Sequence, residues 1–274
     1  EGLAVTSATE NLAAIVLAGR RRSGDPLANA LGLPDKWMVE VGGKQMLSRV
    51  LNALHESERF NQILVVSDAP EAVRKSETAQ RINALGQLRI LTPAGSPASS
   101  VLEALAKLPE ETGVLLTTAD HALLQAGQIK AFLDGAPEDA DFVAALADVE
   151  ALQRRFPEVK RTAWRFSDQK VAGCNLFLMR GKPARNLLTL WRSVEADRKR
   201  PLRILRRFGL GLLLSYLLGR LSLQRALDRL SKLADCKIAA FHHPDPLVGI
   251  DVDTLEDLKL VESILTQGQA DNIS

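Results

Sequence analysis

The stretch Ala13-Ala14-Ile15-Val16-Leu17-Ala18-Gly19-Arg20-Arg21-Arg22-Ser23-Gly24 decides how this chain is read. An apolar run breaks off at a glycine followed by three arginines. Such a run reads as a buried strand, and the Gly/Arg segment after it as a loop delivered to an anionic ligand. Lys36 and Gly42-Gly43-Lys44 lie downstream of the loop. Further strand-like runs recur at Gln62–Ser67, Leu88–Leu91, Val114–Thr118 and Phe142–Ala147. Between them lie helical patterns, such as Met46, Val50, Leu51 and Leu54, then Val101, Leu102, Leu105 and Leu108. Short buried strands alternating with helices predict an α/β domain with a largely parallel sheet. Ligands in such sheets sit at the carboxyl ends of the strands, where Gly19 and Asp120 fall.

The chain has 274 residues, with 46% apolar and 25% charged, the balance of an ordinary globular protein with a real core. It is expected to form a single domain over residues 1–274. Cys174 and Cys236 lack any metal-ligand spacing and read as free buried thiols of a reducing compartment. The polar opening, Glu1 to Glu10, shows no apolar leader, so a cytoplasmic location is expected by default. The formal net charge of +2 hides an asymmetry: Lys182–Lys232 holds thirteen Lys/Arg against three Asp/Glu, a local +10 that leaves −8 for the rest. That segment is built to meet something acidic.

After about Ala151 the pattern changes. Thr162–Phe166 and Lys170–Met179 predict a hairpin around Ser167-Asp168-Gln169. A basic helical insertion over 182–234 follows, then a strand at Cys236–Phe241 and a helix from Thr254 to Leu265, opened by a capping-box-like Thr254-x-x-Asp257. Within the insertion, Phe208–Leu218 is almost wholly apolar but too short for a bilayer, which takes about twenty residues. Three readings are open for it: a helix in the core or in a dimer interface, an interfacial helix on an anionic membrane, or a lid over a lipophilic acceptor. The first leads, because Leu223, Ala226, Leu227, Leu230 and Leu233 form an apolar face that needs a partner. The segment offers no aromatic platform for nucleic acid.

The loop carries Arg20, Arg21 and Arg22 between Gly19 and Gly24, with Lys36 beyond. Backbone N–H groups and guanidinium forks in such a loop suit a triphosphate. It is neither a Walker A nor a GxGxxG sequence, which disfavours a P-loop NTPase and a dinucleotide oxidoreductase. Asp120 ends an apolar strand, where a carboxylate can hold Mg²⁺ on nucleotide phosphates or simply cap a helix. Alternation places Asp251 and Asp253 on one face. His242 and His243 point opposite ways on a strand, which argues against a metal site there.

Leu17-Ala18-Gly19, Lys36, Val41-Gly42-Gly43-Lys44-Gln45-Met46-Leu47, Ser99-Ser100-Val101, Thr118-Ala119-Asp120-His121 and Gly249-Ile250-Asp251-Val252-Asp253-Thr254-Leu255-Glu256-Asp257-Leu258 occur in the order found in MobA-like nucleotidyltransferases, which the chain resembles along nearly its whole length. Arg20 stands where the family usually has a second glycine, and Gln45 where it has proline. The resemblance implies a Rossmann-like three-layer sandwich with a mostly parallel mixed sheet, and Mg²⁺-dependent transfer of a nucleoside monophosphate from an NTP, CTP or GTP, to a phosphorylated or lipid-linked acceptor. It implies a nucleotide site from Leu17, Ala18, Gly19, Arg20, Arg22, Gly24, Lys36, Ser99, Ser100 and Asp120. Arg20, Lys36 and Asp120 take the catalytic roles. Asp120 is a metal ligand, with Asp251 the favoured partner and Asp253 the alternative. Gly173-Cys174-Asn175 resembles a G-x-N element near the acceptor, and Lys160, Arg161, Asn175, Arg198 and Lys199 are assigned to acceptor binding. Other readings are a sugar-nucleotide-dependent glycosyltransferase, with Asp251-x-Asp253 as its metal motif, and a non-catalytic nucleotide- or membrane-binding relative. An anionic membrane surface and a homodimer complete the expected partners; nucleic acid is not among them.

Overall fold

The structure is a computed structural model and describes residues 11–20, 24–157, 159, 163–197 and 209–271. Its centre is β1 (Leu12–Ala18), flanked in parallel by β4 (Gln62–Ser67) and β6 (Gly113–Thr118). β5 (Leu88–Leu91) extends the sheet beyond β4. On the other side β9 (Lys170–Met179) inserts antiparallel between β6 and β7 (Phe142–Asp148), and β10 (Ile238–His242) closes that edge parallel to β7. The order is β10-β7-β9-β6-β1-β4-β5, with the short β8 (Trp164–Arg165) paired to the outer half of β9 as the expected hairpin. In that seven-strand path all strands but β9 run one way, so the sheet is mixed and mostly parallel, as expected.

Alternation along β1 explains the layers. Leu12, Ala14, Val16 and Ala18 face one core, shared with α2 (Met46–Glu56) and α6 (Ala126–Gly135); Ala13 and Ile15 face the other, shared with α5 (Pro97–Leu105) and α8 (Pro183–Asp197). Burial on both faces is why these strands read as continuous apolar runs. A third apolar cluster lies at the strand ends. It joins Val39, Val41 and Met46 to Ala122 and Leu123 after β6, and to Ile250, Val252 and Val261 near the carboxyl end. Gly42 and Gly43, at φ +56° and +70°, form the two-residue turn between β2 (Glu40–Val41) and β3 (Lys44–Gln45). Positive φ at both positions is the type I′ geometry, whose twist suits a two-residue hairpin.

The helix Leu223–Ala234 is capped by Ser222, whose Oγ accepts the Arg225 N–H at 3.3 Å, and packs Leu227, Leu230 and Ala234 on the second core. That apolar face therefore has the sheet as its partner and does not need the neighbouring helix Leu210–Leu217. Of the leading expectation for Phe208–Leu218, a helix in the core or in a dimer interface, the core position is corrected for the residues the structure describes: Leu213, Leu214, Leu217 and Leu218 are exposed. Among the described residues no helix is long and apolar enough to cross a membrane. Both cysteines are buried thiols outside any disulfide, and burial, reinforced by Asp141 and Asp235, pushes the Cys236 thiol up to about 12. The Thr254 and Asp257 pair forms the expected capping box: Asp257 N–H donates to Thr254 Oγ1 at 3.1 Å and Thr254 N–H to Asp257 Oδ2 at 2.9 Å.

Candidate active site

Chain order creates the crevice. From β1 the chain moves outward through β4 and β5, then crosses back to lay β6 on the opposite side of β1. Strand order reverses between β1 and β6, and open α/β sheets bind ligands beyond the carboxyl ends of the strands at such a point. Gly19 and Arg20 leave one strand there and Asp120 leaves the other; the Ala119 N–H donates to Leu17 O at 2.9 Å, holding the two exits side by side.

Lys36 is the hub. It opens a 3₁₀ turn (Lys36–Met38) anchored by buried Trp37, and its Nζ donates to Asp120 Oδ2 at 2.6 Å and to Asp253 Oδ1 at 2.5 Å. Its side chain is 14% exposed, against 20% for Asp120 and 39% for Asp253. Burial by itself would lower the Lys36 pKa, but attraction and hydrogen bonding from Asp120 and then Asp253 outweigh it, and the net direction is upward. The ammonium therefore stays charged at neutral pH. Thr118 Oγ1 donates to Asp120 Oδ1 at 2.5 Å, and the Val252 N–H donates to the Asp120 carbonyl at 3.2 Å, which fixes both ends of that residue.

Residues 250–253 are not part of a strand, yet they alternate as the sequence predicts: Ile250 and Val252 are buried, while Asp251 and Asp253 are partly exposed. Close approach sets this course, since a Cβ on Gly249 would lie 2.8 Å from that of Ala147. The two aspartates do different things. Asp253 shares Lys36 with Asp120, whereas Asp251 Oδ2 accepts the Asn175 amide at 2.9 Å. The pairing thus joins Asp120 to Asp253, the alternative partner, and Asp251 to the G-x-N element. Asn175 sits at φ +49° where the β7–β9 register shifts, so its backbone is left-handed and its amide is re-aimed at Asp251. Asparagine tolerates that conformation and a β-branched residue does not. Asn175→Gly should lose only the amide contact, about 1 kcal/mol, while Asn175→Val should cost roughly 2–3 kcal/mol. Urea denaturation of the two variants checks this; equal stability would remove the backbone argument.

Arg20 stands less free than the sequence suggests. Its Nε and Nη2 donate to the two oxygens of Asp35 at 2.5 and 2.8 Å, and its backbone N–H donates to Asp68 Oδ2 at 2.6 Å. Asp35 is 2% exposed, and its bonds raise the Arg20 pKa. The guanidinium, half exposed, is thus oriented by a buried carboxylate. Gly24 is followed by Asp25, whose Oδ1 caps the short helix α1 (Pro26–Ala30). The cap of α5 is Ser96, not Ser99 or Ser100. Buried Ser100 donates to Ser96 O and accepts from the Ala94 N–H, both at 2.9 Å, which leaves Ser99 the more accessible hydroxyl. Arg22, Lys160, Arg161, Arg198 and Lys199 lie outside the described residues. His243 is buried, its Nε2 donating to Gln128 O and its Nδ1 accepting from Asp245 N–H, both at 3.0 Å; His242 is exposed.

Asp35, Asp68 and Arg49 escape the sequence reading, and Thr118 enters it only as part of a motif, with no role. Arg49 Nε donates to Ala122 O at 2.8 Å and Nη1 to Val41 O at 3.1 Å, which pins the β2–β3 hairpin to the loop after Asp120. Asp68 carried a usable signal, since it follows β4 directly, one residue closer than Asp120 follows β6.

The described residues contain no cluster of three or more metal-ligating side chains. The donor set nonetheless suits Mg²⁺. Asp120 and Asp253 converge on one cation, and Mg²⁺ takes few protein ligands and completes its shell from phosphate and water. Four carboxylates, Asp35 and Asp68 on Arg20, and Asp120 and Asp253 on Lys36, bond these two cations. A triphosphate entering so acidic a setting needs a divalent counter-ion. A second concavity of about 400 Å³, lined by Asp148, Glu150, Asp168, Lys170 and His242 among others, is acidic and has the wrong sign for a phosphate.

Residues 14–233 match the model of the MobA-like NTP transferase domain. A hypothetical transferase from Thermus thermophilus is 33% identical, covers 90% of this chain and 99% of its own, and superposes with a TM-score of 0.75. Two more distant structures show the same fold. The 4-diphosphocytidyl-2C-methyl-D-erythritol synthase of Anaerococcus prevotii is 13% identical over 94% of this chain and 99% of its own, with a TM-score of 0.56. A CMP:2-keto-3-deoxy-manno-octonic acid synthetase complexed with CTP is 14% identical over the same shares, with a TM-score of 0.57. No curated protein matches the chain. With the domain matched from β1 through the basic insertion, this chain belongs to the MobA-like NTP transferase family and is an enzyme of the nucleotidyltransferase class.

Proposed function

We propose that this enzyme transfers a nucleoside monophosphate from CTP or GTP to a phosphorylated acceptor, a small molecule or a lipid-linked phosphate, with release of pyrophosphate. CTP comes first because both distant neighbours are named for cytidylyl products or bound CTP. The observation that carries the reading is the Lys36 ammonium held between Asp120 and Asp253 at the switch point of the sheet.

In the reaction an acceptor phosphate oxygen attacks the α-phosphorus of the NTP, and the bond from that phosphorus to the bridging oxygen of pyrophosphate breaks. The attacking oxygen is already anionic, so no residue need remove a proton. Leu17, Ala18, Gly19, Gly24 and Ser99 shape the nucleotide site, and Arg20, Arg22 and Lys36 neutralise the triphosphate and the departing pyrophosphate. Asp120 with Asp253, or with Asp251, would hold Mg²⁺, which when bound would supply neutralisation of phosphate charge. Asn175, aimed by its left-handed backbone, orients Asp251 beside the acceptor. Catalysis rests on positioning and charge.

The test is pyrophosphate release with each NTP in turn, Mg²⁺ and an extract of cellular phosphates. Release with CTP or GTP that depends on the extract is the expected result. No release with any NTP, or release of a nucleoside diphosphate from a sugar nucleotide instead, overturns the proposal.

A further inference from the structure

Of the large apolar side chains exposed among the described residues, four fall within six consecutive positions. Leu213, Leu214, Leu217 and Leu218 are 37, 47, 69 and 65% exposed. The first three share one face of the helix Leu210–Leu217, and Leu218 continues it. This exposure is not fraying, because the opposite face is fastened down. Tyr216 meets the Phe166 ring edge-on at 6.1 Å between centroids. The Arg220 and Leu221 N–H groups donate to Ser215 O at 2.8 and 3.1 Å. The hairpin turn grips the segment just past the helix: Ser167 N–H donates to Leu221 O at 2.8 Å, and Asp168 Oδ1 accepts the Leu223 N–H at 3.1 Å. Leu221 and Leu223 are buried in turn. A rigid mount thus holds a leucine face out into water.

Positive charge brackets that face. Arg220 is exposed at its carboxyl end. At its amino end the Arg229 guanidinium comes within 3.6 Å of where a Cβ on Gly209 would lie. In sequence, positions 198–208 add six Lys/Arg and no Asp/Glu just before the helix. Leucines with an arginine at either end of their helix complement a surface that is apolar beneath and anionic on top.

We propose that the helix Leu210–Leu217 docks the protein on an anionic lipid bilayer, lying in the interfacial plane with its four leucines at the acyl boundary and Arg220 and Arg229 against lipid phosphates. At about 12 Å long the helix cannot cross the membrane. A second copy of the chain fits the face less well. A two-fold interface would set one arginine group against its like, and four leucines offer on the order of a few hundred Å² where a stable dimer buries about 800 Å² per partner. The inference stands apart from nucleotidyl transfer, and neither depends on the other.

The experiment is flotation of the full chain with phosphatidylcholine vesicles, with and without phosphatidylglycerol, at low and high salt. Expected is binding that needs phosphatidylglycerol, weakens with salt, and falls roughly tenfold or more in Leu214→Gln/Leu217→Gln and in Arg220→Glu/Arg229→Glu. Melting temperature and the NTP-induced thermal shift should stay as in the wild type, which separates lost docking from lost fold; Leu217→Gln alone, at the most exposed of the four leucines, carries the test if the leucine pair misfolds. Absence of wild-type binding at low salt overturns the proposal. So does binding that the leucine pair leaves intact, which would be surface adsorption by charge, and so does dimerisation in sedimentation that the leucine pair abolishes.

Discussion

Asp120→Ala is expected to lower nucleotidyl transfer by roughly 10³-fold or more while leaving the protein folded. The fold survives because the carboxylate belongs to the crevice and not to either core: its side chain is 20% exposed, and its backbone carbonyl, which holds Val252, is unchanged. Lys36 keeps Asp253, so no ammonium is stranded, and stability should fall by only about 1 kcal/mol. A readout independent of the acceptor is available. A ligand that binds only the folded state raises the melting temperature, and the part of the NTP-induced rise that depends on Mg²⁺ should vanish in Asp120→Ala. Asp120→Asn, which keeps shape and removes charge, should behave alike. Near wild-type turnover in either variant would sink the metal assignment.

The part of this site written in the sequence is the part carried by strands. β4 and β5 begin and end at the predicted residues, and β1, β6 and β7 differ by one residue at an end. A residue just past such a strand is placed by it, so Gly19, Arg20 and Asp120 were legible as neighbours. The insertion of β9 between β6 and β7 was not, because strand pairing across so long a separation leaves no local trace. Choosing between Asp251 and Asp253 was beyond alternation, which puts both on one face; what separates them is Asn175, arriving from β9 to take Asp251. The role of Arg20 depended on Asp35, whose own neighbours in sequence say nothing of a partner fifteen residues back. For the leucine helix the almost wholly apolar run was legible, but whether an apolar face is covered is decided by packing elsewhere, here by the second core taking Leu227 and Leu230 of the helix Leu223–Ala234.

Lys36→Met should lose transfer activity by about 10³-fold and yet bind Mg²⁺ more tightly without nucleotide. Nζ lies 2.6 Å from Asp120 and 2.5 Å from Asp253, so the ammonium occupies the point on which both carboxylates converge. The two oxygens lie at most about 5 Å apart, where like charges repel strongly in a partly desolvated site. With the ammonium gone they face each other uncompensated, and the fold should lose about 2 kcal/mol, less than the roughly 3–5 kcal/mol of a fully buried broken pair. A divalent cation can then take the vacated place, so added Mg²⁺ should raise the melting temperature of Lys36→Met more than that of the wild type. The wild-type contribution should not titrate near neutrality: with its pKa raised above 10.5, Lys36 stabilises fully below that value and is lost only as pH climbs through the higher folded one. The gap in melting temperature between wild type and variant, without Mg²⁺, should therefore be constant from about pH 6 to pH 9. Equal response of the two proteins to Mg²⁺ would mean that the ammonium does not stand where the metal goes, and that in the complete enzyme the cation and Lys36 occupy separate positions along the triphosphate.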